Sequence, residues 1–431
     1  MKKKDENQNL PVESQNKKET RLRVKAQKAA DKEEWDATHD VIFYEKLTEE
    51  KIDETAPLTK GGIDVWFLVW AIFLACFGAV MQYSASAVYA AKMYNGDSMH
   101  FLREYIILTI VAAIFTALFV IFARPWAWRV FAVGVYAISV VLLLLVIFIG
   151  VVGKGAQRWI PLGPITIQPS EIAKIAVVMI LALYMSKYEK QINSTHKFGG
   201  NFKHGFLMPM VFIGILCGLI ILQPHLSGTI IVGMLGFCVM FMAGTRLKWL
   251  GIFLGIIAAV GVIFISFFGY SMERVQIWLN IDKVDPLGAA WQTLQGLYAI
   301  GSGGFFGLGL GSSRQKYGYV AEAQNDFVFT IVCEELGFVG AFAVIFLFGM
   351  LIWRGIKIGQ NAPDKFCSLV VWGLTMKIAL QVLMNIAVVT NSMPNTGISL
   401  PFFSSGGSAL MLQIFEIGII LSISRFSTQK K

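Results

Sequence analysis

The sequence predicts an all-α integral membrane protein of about ten transmembrane helices, with a large folded extracellular loop between spans seven and eight. Three observations carry that expectation. Hydrophobic residues make up 55% of the chain and charged residues only 15%, against about 25% charged in a soluble domain. From Ile63 onward apolar runs recur at the length of roughly 20 residues that a bilayer crossing needs. The connections between those runs carry more Lys and Arg on one set of alternate sides than on the other, as the positive-inside rule requires.

Residues 1–60 come first and differ from everything after them. Counting along the chain, they hold 14 of the 28 acids and 13 of the 37 Lys and Arg, with no apolar face large enough for a core. They read as a charged, disordered cytoplasmic tail. The remaining acids and bases leave the membrane part with a net charge of about +10.

Spans are expected near 63–84, 105–123, 130–152, 170–186, 206–222, 227–244, 249–270, 327–353, 366–390 and 407–424. Arg124, Arg129, Lys187, Lys190, Lys197, Lys203, Arg246, Lys248, Arg354, Lys357, Lys365, Arg425, Lys430 and Lys431 then fall on one side. The connections 391–406 and Gln223–Gly228 on the other side hold no base. Both termini are therefore expected in the cytoplasm, which an even number of spans satisfies. The chain divides into the tail 1–60, a polytopic membrane domain 61–425 and a cytoplasmic end 426–431.

Residues 271–326 are too long and too apolar for a plain connection, with Trp278 and Trp291 among them, and are expected to fold back on the outer membrane face. Cys76, Cys217, Cys238, Cys333 and Cys367 stand singly in apolar runs, so neither a zinc site nor a disulfide framework is expected. The N-terminus shows no cleavable signal peptide. The bases read as membrane flanks, and no nucleic-acid partner is expected.

The unusual residues gather in the outside connections. Between spans three and four lie Lys154, Arg158, Pro161, Gly163, Pro164, Gln168, Pro169, Ser170, Glu171 and Lys174. Ser170 suits the N-cap of span four, with Glu171 at the positive end of that helix. Capping leaves Lys154, Arg158 and Lys174 unexplained; bases on the outer side fit phosphate binding.

Lys174, Glu334, Glu335, Lys377 and Glu416 sit inside spans, where each charge needs a partner. Glu334 and Glu335 lie about 12 Å into span eight at 1.5 Å per residue, and Lys377 near the middle of span nine. The reading pairs Lys377 with Glu334 or Glu335, either to hold the fold or to take part in chemistry.

Asp326 closes the long outer loop where span eight begins. Its position alone favours a helix cap or first-turn acid, while the geometry also suits a general base under a folded loop. The glycines from Gly301 to Gly311 follow no strand, so a dinucleotide loop is excluded and flexible or close-packed backbone is the better reading. The segment from Met393 through Pro394, Gly397, Pro401, Ser404 and Gly406 to Gly407 cannot be helical throughout, which marks it as the wall of a site.

Tyr83–Ser86, Gly155–Trp159, Gln168–Glu171 with Lys174, Trp291–Gln292, Gly301–Gly304, Asp326–Phe327 with Glu334–Gly337, and Pro394–Gly407 together resemble the shape, elongation, division and sporulation (SEDS) family. The likeness runs over roughly residues 60–425. Tyr83–Ser86 looks most like its division branch, or the sporulation relative of that branch.

The resemblance implies a glycosyltransferase that polymerises lipid II at the outer face of the bacterial cytoplasmic membrane, at the division septum. It makes Asp326 the acid/base acting on the acceptor 4-hydroxyl, with an undecaprenyl-pyrophosphate-linked glycan as donor and inversion in one displacement. Lys154, Arg158 and Lys174 are the candidate pyrophosphate ligands, with Arg314 and Lys316 in reserve. Glu171, Glu322, Glu334, Glu335, Lys377, Ser404, Gly406 and Gly407 are expected to support the site.

The implied partners are a single-span class B penicillin-binding protein and other division proteins. No cofactor is assigned, and a divalent cation stays open. The family's usual Gln-Pro-Asp-Leu-Gly reads Gln223-Pro224-His225-Leu226-Ser227-Gly228, and its Leu-Pro-Glu reads Val320-Ala321-Glu322. A lipid II transporter and a non-catalytic division scaffold are the rival readings. Glycines, prolines and bases crowded on one face favour chemistry there over a full crossing path.

Overall fold

The computed structural model describes residues 61–123, 125–153, 156–162, 165–193, 200–267, 269–281, 283, 285, 288, 290–404 and 406–426. The tail 1–60, Lys154, Lys197, Lys430 and Lys431 lie outside the described residues. Eight of the described helices are long and apolar enough to cross a membrane, and two shorter apolar helices, Leu226–Met242 and Leu247–Ile263, lie where the two other spans are expected.

In order the crossings are α1 (Val65–Met93), α2 (His100–Phe122), α3 (Pro125–Ile149) and α4 (Pro169–Lys187). After the short α5 (Glu189–Ile192), a π-helical turn (Asn201–Leu207) runs into α6 (Met208–Ile221). Next come α7 (Leu226–Met242) and α8 (Leu247–Phe267). The long loop then contributes α9 (Gly269–Leu279) and α10 (Trp291–Ser302). The chain closes with α11 (Val328–Gln360), α12 (Lys365–Val389) and α13 (Gly407–Ser424).

Three helices form the inner layer. Along their most apolar windows, 78% of the residues in α4, 72% in α12 and 67% in α13 are buried, against 22–33% in α1, α2, α3 and α11. The outer helices can therefore be apolar all round and face lipid, whereas the inner ones carry polar residues turned to protein. Glu171, Lys174, Lys377 and Glu416 all sit on these inner three helices.

The all-α expectation has one local exception. Between α3 and α4, β1 (Val151–Gly153), β2 (Ala156–Leu162) and β3 (Ile165–Ile167) form an antiparallel sheet in that order, with Val152 opposite Gln157 and Pro161 opposite Thr166. The short alternating runs broken by Gly and Pro pair locally and bring Arg158 on β2 to the α6–α7 connection.

The glycine-rich part of the long loop is close-packed backbone. Helix α11 breaks at Gly337, whose φ of 67° and ψ of −161° are open to glycine and unfavourable for other residues. The break frees backbone groups that buried chain must satisfy. Leu308 and Gly309 donate to the carbonyls of Glu334 and Glu335 at 3.0 and 2.9 Å, while Phe338 and Val339 donate to those of Gly304 and Phe305 at 3.0 and 3.2 Å. A side chain at Gly303 or Gly307 would run into the α11 backbone at Cys333 or Glu335.

Candidate functional site

Asp326 stands one residue before Phe327, the N-cap of α11, which carries no side-chain cap bond. It therefore sits one position ahead of the N-cap and outside the first turn of α11. The approach to Asp326 is held by α10: Trp291 Nε1 donates to the Tyr319 carbonyl at 2.7 Å and Gln292 Nε2 to that of Ala321 at 2.8 Å. Asn325 donates to the Glu322 carboxylate, which fixes the turn just ahead of Asp326.

The segment 391–406 forms the opposite wall, and its irregular backbone is satisfied by side chains from surrounding helices. Trp278 Nε1 donates to the Asn391 carbonyl at 3.1 Å and Arg274 to that of Asn395 at 2.8 Å; Ser227 Oγ donates to Thr396 and Tyr105 OH to Phe402 at 2.9 Å. Asn385, fully buried on α12, joins the two walls. Its Nδ2 donates to the carbonyls of Asp326 at 2.8 Å and Ile398 at 2.7 Å. Gly397, at a φ of 67°, lies so near that an added Cβ would stand 3.2 Å from Asp326 Oδ2. A larger residue at 397 would press on the carboxylate.

Beneath this wall lies a group of four buried charges. Lys174 pairs with Glu171 at 2.6 Å across one turn of α4, and Lys377 of α12 pairs with Glu416 of α13. A small cavity of about 20 Å³ reaches down to Glu171 from Ser404 and Gly406, with Gln381 and Gln413 in its lining. Arg158 closes the side toward α7 by donating to the carbonyls of Gln223 and Pro224. Next to it, burial together with Arg158 and Lys174 pushes the His225 imidazole down to about 3, against the pull of Glu171, so it is neutral near pH 7.

The structure corrects three expectations. Lys377 bonds Glu416, because its face of α12 looks toward α13; Glu334 and Glu335 are turned to the 313–316 turn instead. There Glu334 accepts from Ser313 Oγ and from the Arg314 N–H at 2.9 Å. Glu335 accepts from Ser84 Oγ, from the Ser313 N–H at 3.2 Å and from Lys316 Nζ at 2.9 Å.

Lys316 is thereby withdrawn from phosphate binding. It is buried, and its three donors reach Glu335, Ser84 at 3.2 Å and the Gly311 carbonyl at 2.7 Å. Arg314 remains exposed at the surface of the same turn. Ser170 is not the cap of α4, because Pro169, which lacks an N–H, occupies the first position behind Gln168.

The structure therefore brings Glu171, Ser404 and Gly406 into the lining of one cavity, with Lys174 paired to Glu171 and Lys377 close by, while Asp326 stands against Gly397 of the 391–406 wall. Gly407 starts α13. The structure leaves Glu334 and Glu335 of α11 bonded to a separate turn that carries Arg314 and Lys316. Sequence reading missed Gln381, Asn385 and Gln413. A signal was present, since Lys377, Gln381 and Asn385 recur every fourth residue through an apolar span, and Gln413 and Glu416 share a face. Among the described residues no three His, Cys, Asp or Glu side chains gather to hold a metal ion.

Comparison with known proteins agrees with this architecture. A family model described as Cell cycle protein, covering FtsW, RodA and SpoVE, matches residues 65–429. Stage V sporulation protein E of Bacillus subtilis is 39% identical over 376 residues, spanning 85% of this chain and 98% of that protein. A probable peptidoglycan glycosyltransferase FtsW of Trichlorobacter lovleyi is 37% identical over 371 residues, spanning 85% and 94%. Among solved structures, a chain of a peptidoglycan synthase complex that coordinates polymerization and crosslinking is 27% identical. It superposes with a TM-score of 0.67 over 85% of this chain and 99% of that one. The rod shape determining protein RodA of Thermus thermophilus is 25% identical, with a TM-score of 0.62 over 85% and 98%.

Proposed function

The chain belongs to the FtsW/RodA/SpoVE family of cell cycle proteins, and from that premise we propose that it is a multi-pass membrane peptidoglycan glycosyltransferase polymerising lipid II for septal wall synthesis. The observation that carries the reading is the placement of Asp326. It lies just ahead of the helix it precedes, against Gly397 of the irregular 391–406 wall, with its carbonyl held by Asn385, which also holds Ile398 of that wall.

In this reading Asp326 takes the proton from the acceptor sugar's 4-hydroxyl as that oxygen attacks the donor's anomeric carbon. The bond to the lipid-linked pyrophosphate breaks on the far side, so configuration inverts in one displacement. No covalent nucleophile is required. The leaving pyrophosphate gathers negative charge, which fixed cations stabilise. Arg158 and Lys154 are the bases of the β1–β2 region proposed to meet it. Lys174, held by Glu171, supports them from the cavity floor.

The reaction is placed at the outer face of the cytoplasmic membrane, with both termini inside. A single-span class B penicillin-binding protein is the proposed partner. The likeness to a chain of a complex that couples polymerization to crosslinking supports that pairing. Relatives named for division and one named for sporulation both match, and a role in sporulation is the second reading. Depletion in growing cells separates the two: loss of septation supports division, and a defect confined to spores supports the other.

The test is strand formation from lipid II by purified protein with its transpeptidase-blocked partner, comparing wild type with Asp326→Ala and Asp326→Asn. General-base loss should lower the rate by about 10²–10⁴, with folding unchanged. Equal strands from wild type and variants would remove Asp326 from the chemistry. No strands from any of them, where a related polymerase works, would favour transport, checked by lipid II translocation in vesicles.

A further inference from the structure

The charges beside the cavity are partnered, and the amides beside them are not. Gln381 lies four residues beyond Lys377 and four before Asn385, on one face of α12. Gln413 lies three residues before Glu416 on α13. Gln381 is 4% exposed and Gln413 3%, yet Gln381 Oε1 and Gln413 Nε2 have no hydrogen-bond partner. Both residues line the same cavity. A buried amide group left unmet costs about 1–3 kcal/mol, so two at one cavity wall are poorly explained as packing.

We propose that Gln381 and Gln413 clamp a neutral amide of the substrate, namely the N-acyl group of a 2-acylamino sugar. The inference rests on the polymerase reading and deepens it. Each side-chain amide presents oxygen or nitrogen by a half-turn about its last bond, so the pair supplies one acceptor and one donor in either arrangement. A secondary amide is their complement, with its N–H given to one glutamine and its carbonyl accepting from the other.

A charged group is disfavoured here, because Glu171 is paired with Lys174 and Glu416 with Lys377, and the four charges sum to zero. A hydroxyl would satisfy the amides but leave the rest of the lining unused. Leu400, Phe402, Ala409 and Leu410 also line the cavity and give the acyl methyl an apolar wall. The clamp is placed for the reaction as well. Gln381 is one turn, about 6 Å along the helix axis, from Asn385, which holds the Asp326 carbonyl. Seating the acyl group would thus fix a sugar ring against the residue that handles its proton.

The test is equilibrium binding to the full chain, with its partner, in lipid nanodiscs. Two probes are compared: lipid II, and a lipid II analogue with hydroxyls in place of both acetamido groups. Wild type should bind lipid II about tenfold more tightly than the analogue, because a site built to hydrogen-bond a group discriminates against its absence. Q381M/Q413M should lose that ratio by weakening lipid II binding alone. The single variants should each lower the ratio about threefold, and they answer the question should the double variant fail to fold.

A wild type that binds both probes alike overturns the clamp. So does a folded double variant that keeps the ratio, or that weakens both probes equally. Binding needs no turnover, so the two readings fail separately. Absent strands with an intact ratio remove the polymerase and leave the clamp. Strands without a ratio remove the clamp and leave the polymerase.

Discussion

Two buried charge groups occupy this molecule, and they differ in how completely their polar atoms are met. At the outer turn, the carboxylates of Glu334 and Glu335 accept bonds from the Ser84 and Ser313 hydroxyls, Lys316 and three backbone N–H groups, and every donor of Lys316 has an acceptor, so the charges are met although the neutral Gln315 Oε1 is not. In the inner layer, Lys377 holds Glu416, but Glu416 Oε2, Gln381 Oε1 and Gln413 Nε2 are buried without partners. A saturated polar group fixes structure. One left unsaturated beside a cavity has capacity kept for something that enters. The difference assigns the first group to holding the glycine-rich loop on the broken helix and the second to the substrate.

The largest effect should come from breaking the saturated group. Glu335→Ala leaves Lys316 buried without its carboxylate and strips bonds from Ser84 and Ser313. Removing one member of a buried pair costs about 3–5 kcal/mol, read as a fall in unfolding free energy in mixed micelles. In whatever fraction stays folded, discrimination between lipid II and its hydroxyl analogue should be unchanged. Near-native stability of Glu335→Ala would dissolve the contrast between the two groups.

The two groups also differ in how far the sequence exposes them. The ten apolar runs, the irregular 391–406 wall and the position of Asp326 follow from composition, from Pro and Gly placement, and from where a long loop meets a span. These are local properties. The partner of Lys377 is not local, since it depends on which face of α12 meets α13 and at what height, and an apolar run is silent on both. The pairing of Gly304–Gly309 with the gap at Gly337 is hidden for the same reason, although Gly337 inside an apolar run is a trace of it. The sheet at 151–167 escapes notice because three strands this short have no pattern stronger than a turn.

A smaller effect should separate the groups from the other side. Glu416→Gln keeps the size of the side chain and an oxygen for Lys377, and removes one charge-assisted bond, worth about 1.5–3 kcal/mol. The stability loss should therefore stay below that of Glu335→Ala, because Glu416 has a single protein partner where Glu335 has several. Strand synthesis should suffer more than stability does, since Glu416 belongs to the floor of the cavity. Equal stability losses in the two variants, with activity following stability, would make both groups structural.

The smallest effect concerns pH. His225, at the edge of the inner group, has Nδ1 enclosed without a partner and two cations near it. Its folded value, about 3, lies below the 6.5 of an unperturbed imidazole, so on acidification the unfolded chain takes up the proton first. Stability should hold above about pH 6.5 and fall below it, losing roughly 1 kcal/mol by about pH 5.5. His225→Gln keeps a polar side chain without that titration and should flatten this part of the stability–pH curve. A slope that persists in the variant would mean that other groups carry it. A slope removed with His225 would trace it to the burial of that imidazole first, with Arg158 and Lys174 adding to the effect against Glu171.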